Sequence, residues 1–126
     1  MAWIEVRQTL RTHPKLFKLS RLLGIDQVGT IGTLILFWHW CLDYAEDGHL
    51  GRFSHEELAA AAGWTGDPAQ FVEVMISSGF LDRQPMRVHD WLDYAGRYLI
   101  RKYGTANRKR LISIWSGYGM KYGVIY

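Results

Sequence analysis

The stretch SHEELAAAAGWTGDPAQF, Ser54 to Phe71, constrains the fold more than any other part of the chain. Ser54 and Glu57 have the S-x-x-E spacing of a capping box, in which each side chain satisfies a backbone N–H that the helix start leaves open. Leu58, Ala59, Ala61 and Ala62 supply an inward face, and the alanines let a neighbouring helix approach closely. Gly63 ends this helix and permits a turn. Asp67, Pro68 and Gln70 then provide an N-cap, a first-turn proline and an N3 residue for a second helix reaching 78. Phe71, Val72, Val74, Met75 and Ile76 form its buried side, and Gly79 stops it.

Two short helices joined by a tight turn make a helix-turn-helix. Directly after it, FLDRQPMRVHDW reads as two short strands with a turn around Gln84-Pro85, the position of a wing. Upstream, Pro14 suits the first turn of a helix with Leu16, Leu19, Leu22 and Leu23 as its apolar stripe and Gly24 at its end. Asp26 caps a second helix, about 27–45, whose run VGTIGTLILFWHWCL is apolar nearly all round and predicts the central core helix. That run is shorter than the roughly 20 apolar residues of a membrane span. A turn at Asp47-Gly48 and a short strand at 50–53 follow. Asp90 is placed to cap a helix over about 91–103, and TANRKRLISIW forms one more, starting near Thr105 or Asn107. The end, SGYGMKYGVIY, is expected to be loose or extended. The expected fold is mainly α with a small β-hairpin, a winged helix-turn-helix over 1–103, followed by a basic, aromatic extension over 104–126.

Charge is distributed unevenly. Residues 1–93 hold all twelve acids and eight Lys/Arg, whereas 94–126 hold seven Lys/Arg and no acid. A basic segment on an acidic-to-neutral body seeks an anionic partner. Arg97, Arg101, Lys102, Arg108, Lys109 and Arg110 lie among Tyr94, Tyr98 and Tyr103, a composition suited to phosphates and to stacking on unpaired bases. In the wing, Arg83 and Arg87 flank the turn and either grip phosphate or pair with Asp82 and Asp90. On the second helix of the helix-turn-helix, Gln70 and Ser77 are the side chains placed to reach base edges, while Glu73 on the same helix repels phosphate. Arg11, Lys15, Lys18 and Arg21 make a second basic surface, read as a solvated helix face.

Nothing in the chain points to catalysis. None of the five histidines, His13, His39, His49, His55 and His89, pairs with another at a metal-binding spacing, and GTIG is not a phosphate-binding loop. Cys41 is the only cysteine, so no intramolecular disulfide forms, and a cytoplasmic setting without metal or cofactor is expected. The N-terminal MAWIEVRQTLRTHPK lacks the apolar core of a signal peptide.

The elements LRTHPKL, LGI, GTLILFWHWCLDYAEDGHL, SHEELAAAAGW, FVEVMISSGFLD and HDWLDYAGRYLIRKY, over about residues 1–103, occur in an order that resembles the N-terminal winged-helix domains of phage and bacterial replication proteins of the replisome-organiser, or DnaD, type. The resemblance implies DNA binding, contacts with replication proteins and self-association. Many such proteins carry a further C-terminal domain, for which these 126 residues leave no room, so the chain is expected to be a standalone module or a piece of a longer protein. The expected function is a noncatalytic DNA-binding module in phage or prophage replication initiation. The alternatives are a protein-interaction winged helix whose aromatics Trp3, Trp115, Tyr118, Tyr122 and Tyr126 line a partner seam, and a transcriptional regulator with its own operator.

Overall fold

The computed structural model describes residues 1–122. An extended N-terminal arm and a short 3-10 helix, Gln8–Thr12, precede α1, Pro14–Leu23. The His13 side chain caps α1 by accepting a hydrogen bond from Lys15 N at 3.1 Å, and Leu16, Leu19 and Leu23 are buried. Leu22, expected on the same stripe, lies on the outer side instead.

Helix α2, Gln27–Tyr44, begins where the Asp26 carboxylate accepts from Gly29 N at 2.7 Å. It buries Leu34, Phe37, Trp38, Cys41 and Leu42. The expectation of an all-round core helix needs correction, because Val28 and Leu36 remain 77% and 54% exposed. Together with Gly32 and His39 they form a stripe spaced by three or four residues on the outer face. The neighbouring elements pack on the opposite face, so an apolar composition did not translate into burial on every side.

Helix α3, His55–Ala61, carries the complete capping box: Ser54 Oγ accepts from Glu57 N at 3.1 Å, and Glu57 Oε1 accepts from Ser54 N at 3.0 Å. Gly63, at φ 72°, turns the chain in the left-handed region that glycine enters without steric cost. Asp67 then accepts from Gln70 N at 2.8 Å and opens α4, Pro68–Ser77, which buries Phe71, Val72, Val74 and Met75 against α3 and α1. Ile76, expected inside, is half-buried.

The hairpin pairs β1, Leu81–Arg83, antiparallel with β2, Met86–Val88, in the register Leu81 to Val88, Asp82 to Arg87 and Arg83 to Met86. The turn lies at Gln84-Pro85, as its composition predicts. The strand expected at 50–53 contracts to a single bridge between His49 and Arg87, flanked by Leu50 N donating to Met86 O and Val88 N to Gly48 O. Beyond Leu50 the backbone turns, with Phe53 N bonded to Leu50 O, and cannot continue alongside β2.

Helix α5, Trp91–Tyr103, starts at Asp90, which sits at φ 56° and makes no side-chain cap bond, contrary to the capping role expected of it. Helix α6, Arg108–Ser116, is capped by Asn107, whose side chain accepts from Arg110 N at 3.2 Å. Its Leu111, Ile114 and Trp115 join the same buried cluster as Trp38 and Trp91. The segment beyond α6, expected to be loose, is anchored at Tyr118, whose hydroxyl donates to Val88 O at 2.7 Å. The fold is thus mainly helical with one small two-stranded antiparallel sheet. Among the described residues no single helix is long and apolar enough to cross a membrane.

Candidate nucleic-acid interface

Gln70 and Ser77 are exposed on α4, about two turns apart along its outer side, with Glu73 about one turn from each. Glu73 does not stand free. Arg83 reaches across from β1 and grips it with both guanidinium nitrogens, Nη2 to Oε1 at 2.6 Å and Nη1 to Oε2 at 3.1 Å. These hydrogen bonds from Arg83 hold the Glu73 carboxyl below its ordinary range. Arg83 and Arg87 were expected either to grip phosphate or to pair with Asp82 and Asp90, and spacing along the hairpin gave no sign of Glu73 as a partner. The pairing ties the hairpin to the outer face of α4.

Arg87 is turned inward. Its Nε donates to Asp82 Oδ2 at 2.8 Å, its Nη1 donates to Gly117 O at 2.7 Å, and its guanidinium lies over the Tyr118 ring at 4.5 Å. Asp82 also meets His89 Nδ1 at 2.8 Å, and His89 Nε2 lies 3.4 Å from Asp90. Partial burial pushes the Asp82 carboxyl up, but the hydrogen bonds of Arg87 and His89 outweigh it and leave the group below its usual range. This cluster joins the hairpin to the C-terminal turn and the start of α5. A groove of about 650 Å³ runs beside it, lined by Lys15, Arg83, Arg87, His89, Asp90 and Tyr118.

The cations of the C-terminal segment differ among themselves. Lys102 and Arg110 converge on the carboxylate of Glu46, at 3.1 and 3.2 Å, and Tyr103 donates its hydroxyl to the same group at 2.5 Å. Burial pushes the Glu46 carboxyl up, yet the three donors together hold it below its ordinary range. Arg97 is 82% exposed and lies 3.7 Å from Glu5. Arg108 sits over the Tyr122 ring at 5.2 Å. Arg101 and Lys109 form no ion pair with any described residue.

The expected stacking tyrosines are partly committed to packing. Tyr94 stacks on Trp38 at 4.2 Å, and burial pushes its phenol up to about 12. Tyr98 meets Trp3 edge to face at 5.1 Å. Of the aromatics proposed for a partner seam, Trp115 is buried, Tyr118 is engaged by Arg87, and Tyr126 lies outside the described residues.

The region discounted from sequence is electrostatically the more open one. Arg7, Arg11, Lys18 and Arg21 are exposed and make no ion pair with described residues, and the whole stretch 6–25 contains no acid. Lys15 lies over the Phe80 ring at 5.4 Å, where α1 meets the end of α4. The absence of acids from this stretch was the one signal in the sequence, but the equally acid-free C-terminal segment shows that the fold decides whether a distant carboxylate reaches such cations. Cys41 is fully buried, and burial pushes its thiol up. Among the described residues no three His, Cys, Asp or Glu gather to hold a metal.

No family model, curated protein or solved structure matches the chain.

Proposed function

We propose that this chain is a noncatalytic DNA-binding module of winged helix-turn-helix form, acting in replication initiation of the phage or prophage kind. The reading makes α3 and α4 the helix-turn-helix, the hairpin the wing, and residues 48–50 the remnant of a first strand. The observation that carries it is the clamp of Arg83 on Glu73. An acid on the outer side of α4 is the main objection to placing that helix against phosphates, and the clamp neutralises it. Gln70 and Ser77 then face outward beside a wing fixed to the same helix. The cations that find no acid in the fold, on α1 and at Arg101 and Lys109, supply the affinity through phosphate contacts.

The test is fluorescence anisotropy with labelled duplex and single-stranded DNA at several salt concentrations. Binding with a steep salt slope supports the module, and preference for duplex supports docking through α4 and the wing. No binding of either DNA at low salt overturns it.

A second reading, a protein-interaction module, is favoured by the exposed apolar stripe of Val28 and Leu36 on α2. Scattered exposed apolar residues are ordinary, but two on one helix face with Gly32 between them leave a flat apolar strip. Light scattering that gives a concentration-independent monomer counts against self-association through it.

A further inference from the structure

We propose that Lys102, Tyr103 and Arg110 form a phosphate-binding site, which the Glu46 carboxylate occupies while no nucleic acid is bound. The last turn of α5 brings Lys102 and Tyr103, and the first turn of α6 brings Arg110, so that an ammonium, a hydroxyl and a guanidinium converge on one pair of oxygens. That donor set is the one that recognises a phosphate's non-bridging oxygens. A carboxylate presents two oxygens to the same donors with the same single charge as a DNA phosphodiester, but with no gain from counterion release. The start of α6 lies beside the site and favours an anion there.

The occupant is able to leave without moving the fold. Its backbone carbonyl is held separately by Trp91 Nε1 at 2.8 Å, so rotation of the Glu46 side chain alone opens the site. Glu46 is 19% exposed, whereas Lys102 and Arg110 are 41% and 34% exposed, so the donors are within reach of solvent. Exposed Arg101 and Lys109 stand on the same two helices and are paired with no acid among the described residues, so they add to the positive charge around the site. The tethered carboxylate competes at high local concentration, which makes an isolated phosphate a weak ligand and reserves the site for a chain of phosphates.

This inference rests on the DNA-binding reading only for the source of the phosphate. Its test is Glu46→Gln, which keeps the shape and removes the charge. With labelled duplex DNA the variant is expected to bind roughly tenfold tighter at a similar log–log salt slope, because both proteins make the same phosphate contacts and only the parent must first displace its own carboxylate. The gain is expected to vanish when Lys102→Gln and Arg110→Gln are added. Inorganic phosphate is expected to shift the Tyr103 ring and Arg110 side-chain NMR signals of E46Q. A folded E46Q with unchanged DNA affinity, and with those signals unmoved by phosphate, overturns the site and leaves the DNA reading standing. Absence of DNA binding by both proteins, with phosphate still moving those signals in E46Q, overturns the DNA reading and supports a site for free phosphate. If E46Q does not fold, Glu46→Asp, which keeps the charge on a shorter arm, carries the same measurements with a smaller expected gain.

Discussion

Two basic regions of this molecule look alike in composition and differ in what the fold does with them. The segment from Arg97 to Arg110 has six cations and no acid of its own, yet Arg97 lies near Glu5, and Lys102 and Arg110 share Glu46. The stretch around α1 has five cations, and Arg7, Arg11, Lys18 and Arg21 find no acid among the described residues. The difference teaches that charge density along a chain does not measure charge available to a partner. An acid half the chain away neutralises a cation as effectively as one beside it, provided the fold brings them within about 4 Å.

The largest expected effect tests whether the C-terminal segment is integral to the body. Trp115→Ala removes a fully buried ring from the shared core and is expected to cost about 3–5 kcal/mol, read as a fall in urea midpoint. A change below about 1 kcal/mol would show that α6 is an appendage, and its comparison with α1 would lose its basis.

Next comes a direct contest between the regions. Replacing Arg7, Arg11, Lys18 and Arg21 together by Ala is expected to weaken duplex binding about a hundredfold and flatten the salt slope by up to about 3.6. Replacing Arg108, Lys109 and Arg110 is expected to do less, similarly for all sequences, because Arg110 is already paired with Glu46. The reverse ranking in anisotropy titrations would return the dominant role to the C-terminal segment.

A smaller effect concerns pH. The folded Glu46 carboxyl is held below its ordinary range, so its contribution is present above the unfolded pKa, about 4.3, and is lost as pH falls through the lower folded value. With partners this exposed the contribution is about 1 kcal/mol or less. E46Q should therefore lose stability near pH 7 and converge on the parent in acid, as measured by thermal melts across pH 2–7. Parallel curves would mean that the Lys102 and Arg110 contacts add nothing to stability.

The smallest expected change is at Asp90, which holds φ 56°. Asp90→Gly relieves that conformation and is expected to shift stability by no more than about 0.5–1 kcal/mol, upward if the contact to His89 contributes little. Denaturant midpoints of D90G and D90A separate the two terms, since alanine removes the contact without relieving the backbone.

Much of the helical framework was legible from short spacings. The capping box at Ser54 and Glu57, the Asp26 and Asp67 caps and the Gln84-Pro85 turn all stand where their residues predict, and of Thr105 and Asn107 it is Asn107 that caps α6, because each depends on hydrogen bonds spanning three or four residues. The misses share the opposite cause. Leu36 looks like core by composition but lies where no described element covers α2. The strand at 50–53 needed a partner along its whole length and keeps only the Leu50 N bond to Met86 O, beside the His49 bridge. The candidate site residues were visible as cations, but their partners were not.

By itself, then, the sequence determined most of the helix starts and that the chain carries an acid-free basic segment. These follow from local backbone chemistry and from counting. Only the tertiary structure decided which cations are spent and which are open. Lys102 and Arg110 meet Glu46 across 56 and 64 residues, and Arg83 leaves its hairpin neighbours for Glu73. Coulomb attraction depends on distance in space, which no spacing along the chain encodes.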